Sequence, residues 1–101
     1  MNQKLGDVIY EILNIKWEIS TIERVSKNNN DPFYAKAFAQ AGLERIRPRL
    51  IKINDLVNSD RSLMQENVPG LGNGGDEPFW KWSMKMSQWM QEQEKKIGNN
   101  Y

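Results

Sequence analysis

Six apolar residues near the start of the chain recur at the spacing of a helical seam. They step alternately by three and four positions: Leu5, Val8, Ile12, Ile15, Ile19 and Ile22. This run fills the a and d positions of three heptads, which is typical of an α-helix with one long apolar edge. We therefore predict a first helix over about 3–27, which must pack that edge against other elements.

A second helix is predicted after the polar run at 28–30. Asp31 followed by Pro32 is typical of a helix start, because Asp caps backbone N–H groups and Pro suits the first helical position. Apolar residues continue at helical spacing in two offset stripes: Tyr34, Phe38 and Ala41, then Ile46, Leu50, Ile53 and Val57. Pro48 lacks a backbone N–H and clashes with the preceding turn. We expect a helix over about 32–58 that is kinked or broken near 44–48.

Glycine dominates the segment that follows the second helix. Four glycines fall within residues 70–75, a composition that indicates a flexible connection. We predict a Gly-rich linker over 59–77, with a flexible hinge at 68–77. Three of its glycines, Gly70, Gly72 and Gly75, have the spacing of a dinucleotide-binding loop, but no buried strand precedes them, so a plain linker is favoured.

The segment WKWSMKMS, residues 80–87, fits two periods. Its alternation is typical of a half-buried strand, whereas Phe79, Trp82, Met86 and Trp89 have helical spacing. The chain from residue 79 to 96 contains no Val, Ile or Thr, and no other segment resembles a strand that could pair with it. We therefore predict a third helix over about 78–97, with this aromatic face in the core.

Together these patterns predict an all-α fold, a small bundle of three main helices in a single domain over residues 1–101. That length supports one modest core. No apolar run approaches the roughly 18 residues of a membrane span, and the first residues lack the pattern of a secretory signal. We expect a cytoplasmic protein with no membrane association.

Composition excludes much of the usual catalytic chemistry. The chain has no cysteine and no histidine, which rules out disulfides, thiol nucleophiles and imidazole bases or ligands. Asp7, Glu11 and Glu18 lie along one side of the first helix, but lysines interspersed along that helix favour a solvated charged surface over a Mg²⁺ site. We predict no metal, no cofactor and no enzymatic activity.

Five large apolar residues are in excess of what a three-helix core needs. Tyr10, Leu13 and Trp17 lie opposite the isoleucine seam of the first helix, and Trp80 and Met84 point away from the third helix's core face. Tryptophan offers large contact area and methionine adapts its shape, so both suit recognition surfaces. We predict that these five residues bind a protein partner.

These features lead to a functional hypothesis. The chain is expected to be a small non-enzymatic interaction protein, of inhibitor or adaptor type, that binds a protein partner and forms a homo-oligomer. Its richness in Asn, Ile and Lys is compatible with a phage or mobile-element origin.

The alternative is a phosphate-directed binder of nucleic acid or a nucleotide. Net charge is only +1, but the second helix carries one cluster of cations: Lys36, Arg45, Arg47, Arg49 and Lys52. Arginine suits bidentate contact with phosphate or carboxylate. The competing interpretation is an ordinary charged face, partly paired with Glu44, Asp55 or the first helix.

Overall fold

The structure is a computed structural model and describes residues 3–28, 30–72 and 74–98. Three α-helices make up most of it: α1 (Gln3–Asn28), α2 (Pro32–Ser59) and α3 (Phe79–Gly98). Between α2 and α3 lie a 3₁₀ helix (Arg61–Gln65) and two short strands, β1 (Asn67–Val68) and β2 (Glu77–Pro78), which pair antiparallel. The predicted small all-α bundle is confirmed, with each helix within about one residue of its predicted bounds.

The apolar seam of α1 packs against α2, which runs in the opposite direction. Five of the six seam residues are buried, and Leu5 at the end is partly buried. Gly42 lies at a close approach of the two helices: a Cβ atom there would come within 2.8 Å of Ile22 Cγ1. The predicted start of α2 is also confirmed, since the Asp31 side chain accepts hydrogen bonds from the N–H groups of Phe33 and Tyr34 at 3.0 and 3.3 Å.

The break expected near residues 44–48 does not occur. α2 is one continuous helix with Pro48 inside it. Both Pro48 and Glu44, whose carbonyl loses its usual donor, lie on the exposed side, so water can satisfy that carbonyl. Ile46 and Ile53 are fully buried on the opposite side, and their packing holds the helix together across the proline.

The N-terminal half of α2 buries a different stripe from the predicted one. The core takes Ala39, Gly42 and Leu43, whereas Tyr34 and Ala41 are exposed. Tyr34 stacks instead on Phe38, with ring centroids 6.3 Å apart. Glycine suits position 42 because α1 comes close there: a Cβ atom on Gly42 would already meet the Ile22 side chain.

The segment WKWSMKMS is helical, as predicted, and lies within α3. Phe79, Trp82 and Met86 are buried, and Met90 completes the core face. Trp89, predicted to be core, is only partly buried, and its indole Nε1–H donates to Glu23 Oε1 at 3.3 Å. The indole carries a polar group that needs a partner, so it lies at the edge of the core while the thioether of Met90 goes inside.

The segment predicted as a Gly-rich linker over 59–77 contains regular structure of its own. Leu63 and Val68 are buried in the common core, and β1 pairs with β2 across the glycine-rich turn. Pro78, predicted to begin α3, belongs to β2. The helix starts at Phe79, whose N–H donates to the Glu66 carbonyl at 2.9 Å. The hinge role assigned to 68–77 stays a prediction.

Candidate protein-binding surfaces

The exposed apolar residues of α1 form a single row, here called the α1 stripe (Tyr10, Leu13 and Trp17). Tyr10 is 62% exposed, Trp17 is 65% exposed, and Leu13 is half exposed. Their spacing of three and four residues puts them on one side of the helix, opposite the buried seam. The stripe is therefore a row of large side chains that the core does not use.

Two polar side chains beside the α1 stripe donate hydrogen bonds to backbone carbonyls of α1 itself. Asn14 donates its side-chain amide to the Tyr10 carbonyl at 2.9 Å, and the Thr21 hydroxyl donates to the Trp17 carbonyl at 2.9 Å. Gly6, Asn14 and Thr21, which flank the stripe, are uncharged, whereas Asp7 and Arg24 near its two ends are charged and exposed. Covering this side with a partner would therefore bury few groups that need water.

Trp80 and Met84 are one turn apart on the outer side of α3. Trp80 is 41% exposed and Met84 67% exposed, whereas Trp82 and Met86 between and beside them are buried. All five residues predicted to bind a partner thus lie at the surface. They form two separate groups, since one group is on α1 and the other on α3.

A groove lies between α2 and α3. Its volume is about 480 Å³, and its apolar floor is formed by Leu50, Trp82, Met86 and Met90. The polar lining residues are Arg47, Asn54, Ser83, Ser87 and Glu94, and Ile51 forms part of the wall. We call this the α2–α3 groove. Its volume lies in the range of protein binding sites for small ligands or anchoring side chains.

Ile51 is an exposed apolar residue that was not predicted from the sequence to belong to a surface. It is largely exposed, although the chain around it supplies buried residues. The available signal was its position one residue away from the stripe containing Leu50 and Ile53. Phe33 and Tyr34 are exposed aromatic residues near the start of α2 and were likewise not assigned to a surface.

The basic cluster of α2 is largely engaged in ion pairs within the chain. Arg45 donates two hydrogen bonds to Glu18 at 3.0 and 2.9 Å. That hydrogen bonding raises the pKa of the Arg45 guanidinium despite the opposing effect of burial. Arg47 turns the other way and pairs with Glu94 of α3 at 3.3 Å.

The most buried ion pair joins the middle of both long helices. Glu11 is almost fully buried on α1, and Arg49 donates to its two carboxylate oxygens at 3.3 and 3.0 Å. Lys52 adds a second cation, with its Nζ 3.6 Å from Glu11 Oε1. Of the predicted cluster, Arg45, Arg49 and Lys52 therefore face α1 together. Lys36 lies more than two turns earlier in α2 and is half-buried.

This arrangement corrects the expectation for the acidic row of α1. Glu11 is not on a solvated surface, because α2 covers it and supplies two cations. Within residues 3–28, 30–72 and 74–98, no group of three or more acidic side chains is placed to hold a metal ion. The carboxylates of Glu11 and Glu18 instead fasten α1 to α2.

The glycine-rich loop is shaped by contacts that only glycine permits. A Cβ atom on Gly70 would overlap the carbonyl oxygen of Gly75, and Gly72 has a φ of 105°, in the left-handed region. The spacing that resembles a dinucleotide-binding loop thus serves a compact turn. Glu77 is buried beneath it, accepting from the Leu71 N–H at 3.1 Å and from Lys85 Nζ at 2.7 Å.

Loss of the Glu77 charge is expected to destabilise the protein at low pH. Burial alone would raise the pKa of Glu77, but the hydrogen bonds from Lys85 and Leu71 and the charges of Lys85 and Lys81 outweigh it and lower that pKa. The ionised Glu77 carboxylate therefore stabilises the folded protein at pH values above 4.5, the ordinary pKa of a glutamate. This contribution is lost as the pH falls through the lower pKa that Glu77 has in the folded state. Glu77→Gln should cost about 1–2 kcal/mol at neutral pH.

Urea melts from pH 7 to pH 3 test this dependence. The unmodified protein should lose more stability across that range than Glu77→Gln, because the variant has no carboxylate to protonate there. Asp55→Asn, a change at an exposed carboxylate, is the matched control and should follow the unmodified protein. Parallel curves for Glu77→Gln and the unmodified protein would show that Glu77 does not carry the effect.

Comparison with known proteins adds no identity to these surfaces: no family model, no curated protein and no solved structure matches the chain. In the part of the chain that the structure describes, no helix has both the length and the apolar character that crossing a membrane requires.

Proposed function

We propose that this protein acts by binding another protein through its exposed apolar surfaces, as a small inhibitor or adaptor without catalysis of its own, and that it self-associates. One observation carries the proposal. The core is complete without the α1 stripe, Trp80 or Met84, yet these large side chains remain at the surface of a 101-residue chain. Clustered exposed apolar residues of this kind mark interaction sites.

The residue types support recognition by a protein rather than a purely structural role. Tryptophan and tyrosine are the side chains that most often dominate binding energy when they fill a partner's pocket. Methionine adapts to irregular partner surfaces. The two surfaces lie on different helices, which suits an adaptor that contacts two molecules at once.

The phosphate-binding alternative stays a prediction that no observation favours. Arg45, Arg47, Arg49 and Lys52 all lie within 4 Å of a carboxylate oxygen of this chain. A phosphate would have to displace those carboxylates, and Glu11 is too buried to be exposed without disturbing the packing of α1 on α2. The same ion pairs give these cations a structural role.

Capture of partners from the native host, compared across variants, tests the proposal. Bait protein carrying Leu13→Ser and Trp17→Ser should retain a captured partner at least tenfold less than the unmodified bait, as expected when central apolar anchors are removed. Phe33→Ser is the matched control, because it removes an exposed aromatic residue outside both surfaces. Equal recovery of every captured protein by all three baits would contradict the proposal.

A further inference from the structure

The α1 stripe and the α2–α3 groove lie on different parts of the molecule. Every residue that lines the groove belongs to α2 or α3, whereas the stripe is on the side of α1 that points away from α2. Within one copy the stripe cannot reach the groove, because the packed seam of α1 lies between them. If the two surfaces meet, they must come from two copies.

Their shapes are complementary. Tyr10, Leu13 and Trp17 occupy positions i, i+3 and i+7 of a helix, the spacing of side chains that anchor a helix in an apolar groove. The α2–α3 groove offers an apolar floor between two helices, with Ile51 on one wall. A projecting row facing a groove packs more closely than two projecting rows facing each other.

Their charges are also compatible. The groove contains one cation and one anion, Arg47 and Glu94, and these pair with each other at 3.3 Å. Its other polar lining residues are uncharged. Around the stripe, Gly6, Asn14 and Thr21 are uncharged, and Asn14 and Thr21 donate to their own helix. The charged residues Asp7 and Arg24 lie near its two ends and are exposed, so they can stay in water at the rim of a contact. Bringing the two surfaces together would therefore bury no unpaired charge at the centre of the contact, which is the costly case.

The surface area that would be buried favours contact between a stripe and a groove over contact between two stripes. A whole aromatic side chain covers about 150–250 Å², so the exposed parts of the three stripe residues amount to roughly 300–400 Å² per copy. Two stripes facing each other would bury roughly 600–800 Å², less than the ~1,000 Å² expected of a specific interface. That pairing would also leave the groove uncovered, whereas docking in the groove also covers Ile51 and the apolar groove floor.

We propose that the α1 stripe of one copy docks in the α2–α3 groove of a second copy, so that the protein associates head to tail. This inference rests on the self-association included in the proposed function and specifies its geometry. Because the two sides of the contact differ, each bound copy still has one surface available, and association continues until a ring closes or a chain grows.

Two single variants and their mixture test the geometry by sedimentation equilibrium. Trp17→Glu places a charge in the stripe and leaves the groove intact, and Ile51→Glu does the reverse. Both residues are exposed, so each variant should fold, which circular dichroism will verify. The unmodified protein should form species beyond a dimer as concentration rises to about 100 µM, and Phe33→Glu, as the control, should behave like it.

Head-to-tail docking predicts complementation between the two variants. Each alone should associate at least tenfold more weakly than the unmodified protein. Their mixture should form a 1:1 pair that stops at two copies, because the intact stripe of one fits the intact groove of the other and both remaining surfaces are disabled. Dimerisation of the Ile51→Glu variant alone would overturn this geometry, and so would a mixture that stays monomeric. Either result would leave the proposal that the protein binds another protein unaffected. An 11.8 kDa monomer of the unmodified protein at ~100 µM would overturn self-association itself.

Discussion

Replacing Trp82 with alanine should lower the free energy of unfolding by about 3–5 kcal/mol, the usual cost of emptying a buried aromatic site. Trp82 is only 1% exposed. Its ring stacks on Phe79, with centroids 5.7 Å apart, and it lies where α3 packs on the other helices. Removing it would leave a cavity that the surrounding helices can fill only by moving together. Urea melts followed by circular dichroism at 222 nm measure the loss.

Trp80→Ala is the matched control for this prediction. It makes the same chemical change on the same helix two residues earlier, but at a side chain that is 41% exposed. We expect a cost of about 1 kcal/mol or less, because exposed positions leave little cavity behind. Equal costs for the two variants would show that Trp80 is part of the core and would remove it from the proposed binding surface.

Replacing Arg49 with glutamine should cost roughly 2–3 kcal/mol. The change removes the two hydrogen bonds that the guanidinium donates to Glu11, whose side chain is only 4% exposed. A buried carboxylate that loses its cation typically costs 3–5 kcal/mol. The expected cost is smaller here because Arg49 is itself about one-third exposed and Lys52 remains 3.6 Å from Glu11.

Arg47→Gln provides the comparison for Arg49→Gln. Arg47 and Glu94 form an ion pair in which both side chains are about half exposed, and such pairs contribute about 0–1 kcal/mol. The two variants make the same substitution two residues apart on α2. If both cost the same in urea melts, burial of Glu11 would not be the source of the effect.

Helical period accounts for what could be predicted about the candidate surfaces. A residue half a turn away from a buried seam must face outward unless a third element covers it. The α1 stripe can therefore be predicted from the sequence alone. The same reasoning separated Trp80 and Met84 from the core face of α3. Helical period did not predict the burial of Trp89 and Met90 correctly, because both lie at the edge of that face. At this edge the indole N–H of Trp89 needs a hydrogen-bond partner, so Trp89 stays partly exposed and Met90 is buried.

The groove and the ion pairs could not be predicted in the same way. Ile51 lines a groove only because α3 lies beside that side of α2. Glu11 looked like one member of a solvated acidic row, and only the approach of Arg49 and Lys52 from α2 makes its burial possible. Each of these depends on residues about 30 or more positions apart in the chain.

The sequence by itself determined the three helices, the Asp31 cap of α2 and the apolar sides of α1 and α3, because these follow from local backbone geometry and the spacing of side chains. Only the tertiary structure decided which apolar sides were covered, whether α2 survived Pro48, and which charges were paired. Those outcomes depend on the packing free energy of elements that are distant in the chain. The packing covers the isoleucine seam and Trp82, and it leaves the α1 stripe, Trp80 and Met84 at the surface.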